Sequence, residues 1–131
     1  MSDRVAEFES FRARMNETIL AEDNQVVRRF FALDTQTYKA GVLDARTKEL
    51  LGLACSMVLR CDDCIAYHVG QSRAAGVTRA EFFEVFGVAL VVGGSIVIPH
   101  LRRAVDHLER LEARPDAESD PGHAAHVHDA R

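Results

Sequence analysis

Two cysteines and a histidine lie close together in the stretch CDDCIAYH, residues 61–68. Cys61 and Cys64 are three residues apart, so in the first turn of a helix both thiols can face the same side and form a disulfide. That turn also presents unpaired N–H groups and the positive end of the helix dipole, which stabilise a thiolate. Asp62 and Asp63 oppose this effect, because nearby negative charge raises the pKa of a thiol. The stretch is therefore consistent with a redox pair, a metal site or two thiols of the core.

His68 and Glu49 are the further residues that could take part in thiol chemistry. His68 follows Cys64 by four residues, so it lies one turn along the same helix face and can hydrogen-bond that sulfur. Histidine titrates near neutral pH and can accept a thiol proton. Glu49 precedes Cys61 by twelve residues and stands beside Lys48. Taken alone, such a charged pair is typical of a solvated helix surface.

The periodicity of the chain predicts six helices. Apolar residues recur at steps of three and four in the first segment. Asn24 or Asp23 could cap the second helix, and Asp44 is a suitable N-cap for the third. The fourth helix is expected to begin at the cysteine pair and to end at Gly76. Thr78 and Glu81 have the spacing of a capping box for the fifth helix. We expect Gly93-Gly94 to end that helix, Ser95 to cap the sixth, and Pro99 to lie in its first turn.

One segment permits a second interpretation. VALVVGGSIVI, residues 88–98, is rich in β-branched residues and could form a buried strand. We favour helix there, because the flanking patterns are helical and a lone strand would have no partner. The predicted fold is therefore all-α, with residues 1–113 in a single helical domain and 114–131 as a disordered tail.

Composition restricts the functional class. The chain has 131 residues and a net charge of -4, which gives no reason to expect nucleic-acid binding. We recognise neither a signal peptide nor an apolar run long enough to span a bilayer. Three cysteines without an export signal favour a reducing cytoplasm. In that compartment a close cysteine pair is more often catalytic or metal-binding than structural.

The four residues together match a family pattern. Glu49, Cys61, Cys64 and His68 have the spacing E-x11-C-x2-C-x3-H, which resembles the AhpD-like alkylhydroperoxidases of the carboxymuconolactone decarboxylase superfamily. The resemblance covers roughly residues 30–111, and GGSIVIPHLRRA near its end also resembles small members of the superfamily.

This resemblance implies a six-helix AhpD-like fold that assembles as homotrimers or as hexamers of trimers. It also implies thiol-dependent reduction of a peroxide without a bound cofactor or metal. Cys64 would attack the peroxide and Cys61 would resolve the sulfenic acid, while His68 and Glu49 relay protons. An external lipoyl-type or thioredoxin-like dithiol would then reduce the disulfide.

Several alternatives remain open. The protein could be a general disulfide oxidoreductase, or Cys61, Cys64 and His68 could bind zinc with Glu49, His100 or water as fourth ligand. It could also be a non-catalytic helical assembly module.

Three residues near this constellation receive no catalytic role. Cys55 is expected to be packed as a small hydrophobe, because free cysteines are among the most buried residues. His100 is interpreted as a partly buried structural histidine. Tyr67 is expected to point away from His68.

Overall fold

Every regular element in the described part of the chain is helical. The computed structural model describes residues 3–114. Its elements are α1 (Arg4–Ala21), α2 (Gln25–Thr37), α3 (Ala45–Leu59), α4 (Asp62–Ala74), α5 (Arg79–Gly93), a short 3-10 turn (Ser95–Val97) and α6 (Ile98–Glu112). The six-helix, all-α prediction is confirmed, and residues 88–98 form the end of α5, the 3-10 turn and the start of α6 rather than a strand.

The chain divides into two compact units, which include residues 3–39 and residues 40–114 of the described range. In the first unit, the Asn24 side chain accepts a hydrogen bond from the N–H of Val27 and caps α2, as expected. The Arg28 guanidinium donates to the carbonyl of Leu20 at 2.8 Å and so ties the start of α2 to the end of α1.

The second unit is built from α3, α4, α5 and α6. Helix α3 packs against both α4 and α5, and α6 packs against α4. The largest fully buried side chains of this core are those of Phe82, Phe86, Leu53, Met57, Ile65 and Leu108. Helix α3 presents Leu53 and Met57 to this core together with Glu49 and Ser56, so its buried face is not purely apolar.

Local signals in the sequence position these helices. Asp44 caps α3 through the N–H of Thr47 at 2.7 Å, and Thr78 and Glu81 form the expected reciprocal capping box at α5. Glu81 also pairs with Arg46, and these bonds, led by that from Arg46, lower the pKa of Glu81 to about 2. The pair connects the starts of α3 and α5.

The junction between α5 and α6 depends on two glycines. A Cβ on Gly93 would lie 2.5 Å from Cγ2 of Val97, which is fully buried, so no larger residue fits without movement. Gly94 ends α5 with φ of 84°, a conformation that favours glycine. The expected cap at Ser95 is wrong, because that side chain makes no capping bond and the chain enters a 3-10 turn first. Pro99 lies in the first turn of α6, as expected.

Two expectations about chain organisation stay predictions. One assigns residues 1–113 to a single helical domain. The other concerns the tail, residues 114–131, of which only Arg114 lies within the described range. Among the described helices, none has the length and apolar character needed to cross a membrane.

Candidate active site

The cysteine pair lies where α3 turns directly into α4. Arg60 ends α3 in the left-handed conformation, with φ of 61°, and the N–H of Cys61 donates to the carbonyl of Ser56 at 3.0 Å. This six-to-one bond satisfies an otherwise unpaired carbonyl at the end of α3. The next residue, Cys61, is already the N-cap of α4. A single strained residue therefore carries the chain from one helix into the other.

Cys61 and Cys64 are joined by a disulfide, with their Cα atoms 5.3 Å apart. The sulfur of Cys61 accepts a hydrogen bond from the N–H of Cys64 at 3.3 Å, so Cys61 takes the N-cap role that serine or aspartate more often fills. Cys64 is exposed, whereas Cys61 is half-buried. The two sulfurs thus differ in access to solvent and in hydrogen bonding.

Glu49 and His68 meet between α3 and α4. Nδ1 of His68 lies 2.8 Å from Oε2 of Glu49, and both residues are buried, with 6% and 7% of their surfaces exposed. The surface interpretation of Glu49 taken alone is therefore wrong. The two residues are nineteen positions apart, and the packing of α3 against α4 brings them together. A buried carboxylate beside an imidazole can orient the ring and stabilise its protonated form.

The ring of Tyr67 contacts that of His68. Their centroids are 5.0 Å apart in an edge-to-face arrangement. The expectation that Tyr67 points elsewhere is wrong. Neighbouring side chains on a helix leave the backbone about 100° apart, but both rings are large enough to meet at their edges.

Sequence reasoning missed the partners of Asp62. Oδ1 of Asp62 lies 2.7 Å from Nδ1 of His100, and Oδ2 accepts a hydrogen bond from Arg103 at 3.1 Å. Both partners belong to α6, about forty positions along the chain. Asp62 is the first residue of α4 and directly follows Cys61. Its carboxylate therefore connects α6 to the turn that carries the redox pair.

Cys55 is exposed, so its expected place in the core is wrong. It lies four residues from Leu51 and from Leu59, whose exposed fractions are 51% and 76%. The three form an exposed stripe along α3, opposite the face that carries Leu53 and Met57. Helix α3 is apolar on two faces, and its sequence does not reveal which one is covered.

The described residues show no arrangement typical of a metal site. No group of three or more His, Cys, Asp or Glu side chains within residues 3–114 is placed to hold a metal ion. The two sulfurs are bonded to each other, and Glu49 engages His68. The zinc-binding alternative thus gains no support from this geometry.

Comparison with known proteins identifies the family of the chain. Residues 24–107 match the model of the carboxymuconolactone decarboxylase family. Uncharacterized protein 4 in the cox locus of Paracoccus denitrificans is 31% identical over 83 residues, which cover 63% of this chain and 75% of that protein.

Solved structures of the family share the fold. A carboxymuconolactone decarboxylase family protein of Thermotoga maritima, for which involvement in an antioxidative response has been suggested, is 51% identical. The match has a TM-score of 0.78 and covers 81% of this chain and 90% of that protein. A family member from Legionella pneumophila is 26% identical, with a TM-score of 0.75 over 82% of this chain and 96% of its own. With more than half of its residues matched by the family model and its fold shared by these relatives, the chain belongs to the carboxymuconolactone decarboxylase family.

Proposed function

We propose that the protein is a thiol-dependent peroxidase of the alkylhydroperoxidase type, with Glu49, Cys61, Cys64 and His68 as its catalytic residues. The observation that carries this proposal is a disulfide with an exposed Cys64, one helical turn from a buried Glu49–His68 pair. A redox pair needs only the cysteines. A peroxidase also needs a group that moves protons, and the second pair supplies it.

The proposed reaction has three steps: oxidation of Cys64 by the peroxide, disulfide formation and reduction of the disulfide. The thiolate of Cys64 attacks one peroxide oxygen, the O–O bond breaks, and the leaving alkoxide takes a proton to become an alcohol. Cys61 then attacks the sulfenic acid of Cys64, which forms the disulfide and releases water. An external dithiol returns two electrons and two protons by thiol–disulfide exchange and becomes a disulfide itself.

The different surroundings of the two sulfurs support these roles. Cys64 is exposed, so a peroxide and a reductant can both reach it. When the reductant attacks Cys64, Cys61 departs as a thiolate, and its bond from the N–H of Cys64 stabilises that negative charge. The same bond stabilises the Cys61 thiolate that resolves the sulfenic acid.

His68 and Glu49 handle the protons. A carboxylate can only accept hydrogen bonds, so an ionised Glu49 holds the proton of His68 on Nδ1. Nε2 then carries the lone pair that accepts a proton from the Cys64 thiol and later delivers it to the alkoxide. Because both side chains are buried, water provides little competition for this exchange.

A general disulfide oxidoreductase is the second candidate. The exposure of Cys64 favours it, because exchange with another protein's thiols requires an accessible sulfur but no proton relay. This activity predicts that exchange with protein dithiols is fast while peroxide leaves the reduced protein unchanged.

We also propose that the protein acts as a homotrimer or homohexamer in the cytoplasm. Exposed apolar side chains occur on α2, α3 and α5, among them Phe30, Leu59 and Val91 at 68%, 76% and 87% exposure. Exposed apolar surface of this kind is typical of subunit interfaces. A reducing compartment also keeps the cysteine pair available for turnover.

Peroxide consumption tests the function. Reduced protein is mixed with hydrogen peroxide or an organic hydroperoxide, with a lipoyl dithiol, a thioredoxin-like protein or no donor in parallel. We expect turnover with at least one dithiol and none without, and no turnover with any donor when Cys64 is replaced by serine. Equal rates for the parent and that variant would overturn the proposal.

A further inference from the structure

The first turn of α4 carries two negative charges that disfavour a thiolate on the redox pair. Asp62 and Asp63 occupy its first two positions, between Cys61 and Cys64. Both are exposed, and each carboxylate adjacent to a thiol opposes formation of the thiolate. The carboxylate of Asp63 makes no hydrogen bond or ion pair within residues 3–114, whereas both oxygens of Asp62 are engaged.

The partners of Asp62 come from the helix packed against α4. Nδ1 of His100 and the guanidinium of Arg103 each hold one oxygen, at 2.7 and 3.1 Å. His100 is largely covered, with 17% of its side chain exposed, while Arg103 is 61% exposed. Two donors on one carboxylate fix its direction towards α6, and the permanent charge of arginine offsets the carboxylate's own.

The remaining charged groups near this turn do not perform this task. Arg60, on the α3 side, precedes Cys61 and is exposed. Glu49 from the same helix is engaged by His68. Arg102 neighbours Arg103 on α6 but makes no bond to Asp62 in the described structure. Among the residues named here, only His100 and Arg103 on α6 contact the Asp62 carboxylate and can control where its charge lies.

We propose that His100 and Arg103 are positioning residues that act through Asp62 and raise the thiolate fraction of the Cys61–Cys64 pair. By holding the carboxylate towards α6, they reduce its repulsion of the sulfurs while leaving its favourable interaction with the helix N-terminus intact. The proposal rests on the thiol chemistry proposed above, but not on peroxide as the oxidant.

The experiment measures the midpoint pH of thiolate formation in the reduced protein, from the pH dependence of iodoacetamide alkylation. Every protein carries Cys55→Ser, because exposed Cys55 would contribute its own signal. The variants are Arg103→Gln, Asp62→Asn, their double mutant, and Arg102→Gln as the matched loss of one charge on the same helix. His100→Gln removes the imidazole and provides a second route to the same effect.

We expect Arg103→Gln and His100→Gln each to raise the midpoint by about 0.5 pH unit, a roughly threefold loss of thiolate at lower pH. Arg102→Gln should shift it by less than half as much. In the Asp62→Asn background the shift from Arg103→Gln should also fall by more than half, because no carboxylate remains to be held. Arg103→Lys, which keeps the positive charge and can still donate to Asp62, should restore most of the parent midpoint.

Two results would overturn the inference. Equal shifts from Arg102→Gln and Arg103→Gln would mean that only general charge matters, and an unchanged shift in the Asp62→Asn background would mean that Arg103 acts directly on the sulfurs. The assay uses no peroxide. If the reduced protein does not react with peroxide but the Arg103→Gln shift still depends on Asp62, only the proposed function is refuted. If the protein turns over peroxide but that shift does not depend on Asp62, only this inference is refuted.

Discussion

Replacing Glu49 with glutamine tests whether the buried pair moves protons. Glutamine keeps the size of the side chain and an oxygen that can accept from Nδ1 of His68, but it removes the negative charge. A hydrogen bond to a charged group contributes about 1.5–3 kcal/mol and a neutral one about 0.5–1.5 kcal/mol. The negative charge of Glu49 therefore contributes about 1–1.5 kcal/mol of the strength of its hydrogen bond with His68. Because only 10% of the Glu49 side chain is exposed, solvent screens little of this contribution.

If His68 becomes an imidazolium in the transition state, loss of the Glu49 charge raises the activation free energy by this difference of about 1–1.5 kcal/mol. At about 1.4 kcal/mol for each factor of ten, the Glu49→Gln variant should turn over peroxide about tenfold more slowly. The free energy of unfolding should fall by no more than that same difference of about 1–1.5 kcal/mol, because the buried imidazole keeps an acceptor. Glu49→Ala should instead destabilise the fold by about 1–3 kcal/mol, since it removes that acceptor.

The assay is peroxide consumption at saturating dithiol, with chemical denaturation measured on the same samples. Glu84→Gln serves as the control, because it removes one carboxylate from the exposed surface of α5. A parent-like rate for a folded Glu49→Gln variant would show that Glu49 has a structural role only, and the proton-relay reasoning would be refuted.

Four further predictions follow from individual contacts. Cys64→Ser should abolish peroxide turnover while Cys61→Ser still undergoes one oxidation, which mass spectrometry of the sulfenic acid would show; sulfenic acid on Cys61 instead would reverse the two roles. Burial and the nearby Arg114 and Arg110 charges lower the pKa of His107 from 6.5 to about 4, with Asp106 acting in the opposite direction. As the pH falls, His107 is protonated in the unfolded chain before it is protonated in the folded protein. The free energy of unfolding should therefore be highest above pH 6.5 and fall as the pH drops towards 4. In denaturation curves measured across this range, His107→Gln should reduce that dependence on pH. Gly93→Ala should cost about 1–3 kcal/mol of stability through its clash with Val97, whereas Gly87→Ala, with nothing within 4 Å, should add up to about 1 kcal/mol; a gain from both in thermal melts would refute the packing argument. Light scattering at micromolar concentration should give the mass of a trimer or hexamer, and a monomer would mean that the exposed apolar stripes are not interfaces.

The parts of the fold that depend on neighbouring residues could be predicted from the sequence. Asn24, Asp44 and Thr78 cap the helices expected of them, and Gly76 lies just beyond α4 with φ of 89°. A cap requires only a side-chain oxygen and the next few N–H groups, so its signal is local. Ser95 carries the same signal without forming a cap, because it begins a 3-10 turn and α6 starts only at Ile98.

The candidate site was predictable where a pattern was available and not where contacts are long-range. The spacing of Glu49, Cys61, Cys64 and His68 singled out two pairs. The disulfide forms locally at the start of α4, and the packing of α3 on α4 brings Glu49 to His68. The contact of Asp62 with α6 could not be predicted, because it depends on how a helix forty residues away is placed. The exposure of Cys55 was also missed, since hydrophobic character does not reveal whether a helix face meets the core or a partner.

The most direct test of the central claim is a single-turnover titration without any reductant. Fully reduced protein receives increasing amounts of peroxide, and the Cys61–Cys64 disulfide is quantified by mass spectrometry after alkylation. We expect each peroxide consumed to form one disulfide, until one equivalent per chain has reacted. Peroxide that remains unreacted while both cysteines stay alkylatable would contradict that claim.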